Sequence, residues 1–296
     1  MKRTLKIMLC LILCLGCTGL PSVSAPTAAP TAARVAESDK IEIITVSEAP
    51  TATPVPTPEP TKEPTPEPTE EPTPTPEPTP TPEPTKDPNR PMVALTFDDG
   101  PNLNMTPPVL EKLKEYDVVA TFYVLASAIN DKSGWMLQQM VDQGCEIGVH
   151  GLNHNRMTEF SASKNAKRLL SAAEEISGWI EGGYTPRTMR PPGGNHNSAV
   201  TSGAKAANMA VILWSVDTLD WKTQNVKKIM DVVKSKTHDG AIILCHDHHK
   251  PTLDALDEMI PWLKEQGYDL VTVSELLESS SAGMEYGKIY RKKPGS

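Results

Sequence analysis

The sequence predicts an α/β domain built on a parallel sheet, and three observations lead there. Seven short apolar runs recur from Met92 onward: MVALTF, ATFYVL, EIGVHG, TMRPPG, VILWSV, AIILCH and DLVTV. Helical patterns lie between most of them, over 107–116, 133–143, 162–181, 200–208, 226–235 and 253–266. The residues suited to acid–base or metal chemistry come just after the apolar runs, as they do where chemistry gathers at the carboxyl ends of parallel strands. Seven β/α units of this kind read as a sheet closed, or nearly closed, into a barrel.

The chain before Met92 is a different material. Of 29 prolines, 20 lie at or before Pro91. The opening MKRTLKIMLCLILCLGCTG places three cations ahead of an apolar run, which reads as an export signal too short for a comfortable membrane span. Three processings stay open: cleavage after SVSA, lipidation at Cys17 in the manner of a bacterial lipoprotein, and an uncleaved anchor. All three export the domain. Residues 1–25 are read as this signal and 26–90 as a disordered Pro/Thr/Glu-rich linker. Within it, Thr51–Pro88 repeats Thr-Pro and Pro-Glu-Pro-Thr units with nothing to bury. At ~3 Å per residue in polyproline II, it would reach on the order of 100 Å. Residues 91–280 are read as the folded domain and 281–296 as a C-terminal tail.

Charge and cysteine content narrow the function classes. The net charge of −8 divides evenly, −4 up to residue 91 and −4 beyond it, so the charge balance gives no reason to expect nucleic acid. Of five cysteines, Cys10, Cys14 and Cys17 belong to the signal. Cys145 and Cys245 sit in apolar strand-like runs and are expected as buried free thiols.

Five constellations carry the chemistry. After the first run, ALTFDDGP sets Asp98 beside Asp99. Two adjacent carboxylates repel and want a metal, a counter-charge or a shared proton, although Asp-Asp-Gly-Pro is also good turn chemistry. HGLNH gives His150 and His154, four apart and able to share one metal. A helical zinc-protease motif is excluded, because no Glu comes directly after His150. In MRPPGGNHN, Arg190 precedes a rigid Pro-Pro and a flexible Gly-Gly. Its guanidinium could charge-balance an aspartate, while the glycines let backbone N–H groups approach a substrate. WSVDTLDWK supplies Asp217, Asp220 and Trp221. IILCHDHH supplies His246, with His248 and His249 read as solvated loop histidines.

TFDDG, HGLNH, RPPGG, DTLDW and LCH occur in this order, one per strand end, and over about residues 91–277 the chain resembles the polysaccharide deacetylases with a NodB-like domain, carbohydrate esterase family 4. The resemblance implies a distorted (β/α)7 barrel and a hydrolase of acetylated glycans. It implies Asp98 as general base, Asp99, His150 and His154 as metal ligands, and Arg190 as the group that orients Asp98. His246 would be the general acid, oriented by Asp220 in preference to Asp217. Pro192 and Gly193 would form the substrate loop, with a backbone N–H near Gly193 stabilising the oxyanion, and Trp221 and Leu244 would wall the acetyl pocket. The implied cofactor is one divalent metal, zinc first, with cobalt, nickel, manganese or iron as alternatives. The expected substrate is an N-acetylated cell-wall glycan, peptidoglycan first, ahead of chitooligosaccharides and O-acetylated xylan. A non-catalytic glycan-binding protein is the reading from another class. The domain is expected to be monomeric, extracytoplasmic and in touch with the membrane only through its signal or lipid. Two positions depart from the family pattern. Gly151 stands where Ser or Thr is usual, and Gly193 where Tyr is frequent.

Overall fold

The computed structural model describes residues 90–296. The signal, the lipidation site and all but the end of the linker fall outside the described residues.

Nine strands form one sheet: β1 (Met92–Asp98), β2 (Thr121–Leu125), β3 (Glu146–Gly151), β4 (Thr188–Met189), β5 (Ala210–Ile212), β6 (Val216–Asp217), β7 (Ala241–His246), β8 (Asp269–Leu270) and β9 (Ile289–Tyr290). The helices are α1 (Thr106–Glu115), α2 (Trp135–Asp142), α3 (Ala162–Ser177), α4 (Ser198–Ala206), α5 (Asp220–Thr223), α6 (Val226–Lys236), α7 (Lys250–Glu265) and α8 (Val273–Glu278). None of the described helices is long and apolar enough to cross a membrane. The strand order is β6-β7-β1-β2-β3-β4-β5-β9, with β8 also on β1, and every ladder is parallel.

That order forces curvature. Ile212 ends β5 and Val216 begins β6, so ~14 Å of extended chain joins them at most. In a flat sheet the six intervening strand spacings would hold β5 and β6 ~29 Å apart. The sheet therefore rolls up, leaving a seam where β5 and β6 face each other without pairing. The last residues fill part of that seam: β9 pairs with β5, and Lys292 makes an antiparallel bridge to Ala241 of β7. Within 281–296, Ile289–Tyr290 thus adds a short strand to the sheet. The run VILWSV, expected as one strand, is two. Leu213 donates its N–H to Tyr290 O on β9, and Ser215 donates to Ile242 O on β7, so the chain changes partner at Trp214.

Strand alternation sorts the side chains into two layers. Val93, Leu95 and Phe97 of β1, with Phe122, Val124, Ile147, Val149, Ile243 and Cys245, pack under the helices in the larger core. Ala94, Tyr123, Ile212 and Ile242 face the barrel interior, where α8 closes the lower end with Val273, Leu276 and Leu277. The same inward parity continues up the strands through Thr96 and Asp98 of β1, Gly148 and His150 of β3, Arg190 beyond β4, and Leu244 and His246 of β7. Gly148 makes room for this packing, since a Cβ there would lie 2.4 Å from the Tyr123 ring. Cys145 and Cys245 are buried and unbridged, and burial pushes the Cys145 thiol up to about 11.

Candidate active site

The upper mouth of the barrel opens into a cavity of about 510 Å³ lined by Asp98, Asp99, His150, His154, Gly193, Trp214, Asp217, Trp221, Leu244 and His246. Asp98 and Asp99 would point opposite ways if β1 simply continued. Asp99 instead takes φ 76°, a left-handed conformation that Asp tolerates, and this ends the strand's alternation at the mouth.

Asp98 is buried, and its Oδ1 accepts a 2.7 Å hydrogen bond from Arg190 Nη1. Arg190 is fully buried itself. Nη1 also donates to Thr96 Oγ1 at 2.8 Å, Nη2 donates to Leu213 O at 3.2 Å, and the guanidinium lies 4.2 Å from the Tyr123 ring centroid. A buried charge pair is tolerable only when the remaining donors are met this fully.

Asp99 has the opposite character. Its Oδ1 is buried with no hydrogen-bond partner, 3.3 Å from His150 Nε2 and 3.6 Å from His154 Nε2. His150 Nδ1 lies 2.8 Å from Arg190 O, a carbonyl that can only accept, so Nδ1 carries the proton and the Nε2 lone pair faces Asp99. Burial works to raise the Asp99 carboxyl. With the imidazoles of His150, His154 and His246 in their charged form, their proximity outweighs it and holds the carboxyl down at about 2. Three donor atoms thus converge within 4.8 Å around an orphaned carboxylate oxygen, two imidazole and one carboxylate, which suits a divalent transition metal. Among the described residues this is the one such cluster.

Across the cavity, His246 Nδ1 pairs with Asp220 Oδ1 at 2.8 Å. Asp220 also accepts the His246 N–H at 2.8 Å, the Trp221 N–H at 2.8 Å and the Thr252 hydroxyl at 2.7 Å. Burial works to lower the His246 pKa, but the Asp220 hydrogen bond and charge raise it on balance; the same pairing holds Asp220 low against its own burial. Of the two aspartates in the fourth motif, the geometry therefore joins Asp220 to His246. Asp217 lines the cavity, and its Oδ1 accepts the Leu219 N–H at 2.9 Å.

The remaining expected residues fall around the same mouth. Pro192–Gly194 forms a tight turn with Pro192 buried and Gly193 at φ 63° on the cavity wall. Leu244 is buried, while Trp221 is half exposed at the rim. Gly151 sits at φ 114°, a conformation L side chains rarely adopt, so the backbone here asks for glycine in place of the usual hydroxyl residue. Sequence reasoning missed Trp214, which reaches the cavity from the β5–β6 switch. It missed Asp247 too. That side chain is buried beneath the mouth, accepts the Thr106 hydroxyl, and is pushed up to about 7 by burial. His248 and His249 are half buried with rings 3.9 Å apart, less solvated than expected.

The family model for polysaccharide deacetylases matches residues 85–212. A peptidoglycan-N-acetylglucosamine deacetylase of Bacillus cereus is 37% identical over 194 residues, covering 64% of this chain and 89% of that protein. The chain belongs to the polysaccharide deacetylase family. The peptidoglycan-N-acetylglucosamine deacetylase PgdA of Listeria monocytogenes is 38% identical over 204 residues, 69% of this chain but 42% of that protein. The peptidoglycan-N-acetylmuramic acid deacetylase PdaC of Bacillus subtilis is 42% identical over 190 residues, 64% of this chain and 39% of that protein. The chain therefore spans about two fifths of the length of these two relatives. The solved structure of PdaC superposes with a TM-score of 0.60 at 41% identity, covering 65% of this chain and 93% of that one. A family 4 acetyl xylan esterase of Clostridium thermocellum, solved with a cobalt ion, superposes at 0.62 with 31% identity, covering 69% of this chain and 99% of that one. Both solved relatives thus superpose on the fold of this chain.

Proposed function

We propose that this protein is a metal-dependent deacetylase that hydrolyses the N-acetyl groups of peptidoglycan amino sugars outside the membrane, releasing acetate and a free amine. The observation that carries the reading is the pairing of two differently supported groups across one cavity: an Arg190-bound carboxylate on one side and an Asp220-bound imidazole on the other. A divalent metal held by Asp99, His150 and His154, zinc first by donor chemistry, would lower the pKa of water and polarise the acetyl carbonyl.

The chain's own residues do the rest. Asp98 takes a proton from the attacking water, and Arg190 keeps the carboxylate aimed at it. As water oxygen bonds to the acetyl carbon, negative charge grows on the carbonyl oxygen, and the Gly193 backbone N–H donates to it. His246 enters protonated and gives that proton to the sugar nitrogen as the C–N bond breaks. Asp220 stabilises the imidazolium beforehand and fixes its tautomer afterwards. Leu244 and Trp221 enclose the acetyl methyl and keep bulk water from it. The N-terminal run read as an export signal and the names of the relatives support a wall substrate.

The test is acetate release by the full chain, stripped of metal and then given zinc or cobalt, on peptidoglycan and on chitooligosaccharides. Metal-dependent release from peptidoglycan is the expected result. Release from chitooligosaccharides alone would keep the chemistry and move the substrate, and release from neither with metal bound would overturn the reading.

A further inference from the structure

We propose that the cationic rim built by Arg168, Lys164, Lys167 and Arg156 is a subsite for a carboxylate carried by the wall glycan beside the reacting sugar. This rests on the deacetylase reading and names the kind of glycan that reading would serve.

The four cations gather at the catalytic face. β3 climbs to the mouth, the loop after it carries His154, and α3 descends from the mouth, so the first turns of α3 stand at that face. The stretch 153–171 holds these four cations and one carboxylate, Glu159. Lys164, Lys167 and Arg168 crowd the first two turns of α3, near the positive end of the helix dipole, where the first turn has no acidic residue. Helix stability alone favours Asp or Glu there. Elsewhere half of the described cations meet carboxylates, as in Lys112–Asp257, Lys227–Asp231, Lys234–Glu258 and Lys250–Asp254. None of the four rim cations has a carboxylate partner among the described residues.

Arg168 is the anchor. Its side chain is half buried, its Nη2 donates to Asn153 Oδ1 at 2.9 Å, and its guanidinium carbon lies 4.8 Å from the Phe160 ring centroid. Lys164 Nζ approaches the same ring at 4.4 Å. Asn153 directly precedes the metal-site residue His154, so the guanidinium is fixed one residue from the mouth. A guanidinium has five N–H donors in a planar fork matched to a carboxylate, and one of them is committed here. Such a group is preorganised: it binds an anion without first giving up its own freedom. Peptidoglycan offers a carboxylate next to the reacting sugar in two ways, on the lactyl ether of a peptide-free strand or on the stem peptide. A chitooligosaccharide offers none.

The experiment measures binding by calorimetry to the full chain with zinc, made unreactive by Asp98→Asn. Three tetrasaccharides are compared: chitotetraose, a peptide-free strand with free lactyl groups, and the same strand bearing stem peptides. Adding Arg168→Gln is expected to weaken one or both anionic strands ~10-fold, leaving chitotetraose within about twofold. Lys164→Gln with Lys167→Gln, which leaves the Arg168–Asn153 bond alone, should weaken the same strands ~3-fold and flatten their salt dependence. Which anionic strand responds identifies the carboxylate. Equal weakening of all three glycans, or none of the anionic ones weakened, overturns the subsite. In the parent chain, absent acetate release would sink the deacetylase reading while the binding comparison still decides this one.

Discussion

Strands β3 and β4 each carry one polar side chain to either end of the barrel, and the two ends treat them differently. At the lower end Glu146 opens β3. It accepts hydrogen bonds from Thr121 Oγ1 at 3.2 Å, Thr188 Oγ1 at 2.8 Å, the Ser274 N–H at 2.8 Å and Ser274 Oγ at 2.9 Å. Both of its oxygens are met, and α8 is tied to the barrel through them. At the upper end, His150 and Arg190 leave the same two strands, and Asp99 beside them keeps a buried oxygen with no partner. A buried polar group left unmet costs about 1–3 kcal/mol, so a fold selected for stability alone would close that gap. The lower-end carboxylate is met by the chain, whereas the upper-end one keeps an open oxygen where the proposed metal would bind.

That contrast is tested most severely at Asp98. Asp98→Asn keeps the shape and removes the base, and acetate release from peptidoglycan should fall ~10³-fold at pH 7. Zinc content by elemental analysis should stay at the parent level, because Asp99, His150 and His154 are untouched. Release within tenfold of the parent would mean the proton goes elsewhere.

Asp220→Asn is the next largest, ~10²-fold in kcat/KM. It also has a direction in pH. The folded pKa of His246 lies above the ordinary 6.5 because of Asp220, so the imidazolium that donates to the leaving nitrogen persists above that value and is lost as pH rises through the raised pKa. Without the carboxylate, the alkaline limb of kcat/KM should move to lower pH. An unmoved limb would assign it to another group.

The residues clustered at the mouth were largely legible in the sequence, for a physical reason. A parallel strand buried on both faces reads as an apolar run, and a polar residue ending such a run, such as Asp98, His150 or His246, has only the mouth to occupy. The features that stayed hidden depend on partners far along the chain. β9 is two residues long, and its pairing with β5, 78 positions earlier, carries no periodic signal. The break inside VILWSV comes from hydrogen bonds to Tyr290 and Ile242, so Trp214 could not be placed in the cavity from its own neighbourhood. Asp247 reads as one more loop residue after His246, and only the approach of Thr106, 141 positions away, buries it.

Glu146→Gln sharpens the comparison from the other end. Replacing the buried carboxylate weakens charge-assisted hydrogen bonds to three neighbours and should lower unfolding free energy by about 2 kcal/mol in urea titrations. The turnover of the folded fraction should match the parent. If kcat fell tenfold at full occupancy of the folded state, the two ends would be coupled, and dividing the barrel into a finished end and an open one would be wrong.

Asp247 tests the comparison most gently, because it is an upper-end carboxyl that the chain itself buries. Its folded pKa of about 7 stands above the unfolded 3.8, with burial the first cause. Linkage sets the sign: the neutral carboxyl is the form the fold favours, so its contribution is fully present below pH 3.8 and is lost as pH rises through 7. Asp247→Asn is neutral throughout and loses nothing over that range. Measured with chelator present, to keep metal binding out of the comparison, the melting temperature of the variant relative to the parent should rise by ~3 °C between pH 6 and pH 8, on the order of 1 kcal/mol. Parallel curves would mean that Asp247 is already ionised in the fold and has found a counter-charge, and the burial that sets it apart from Asp99 would not be the feature that matters.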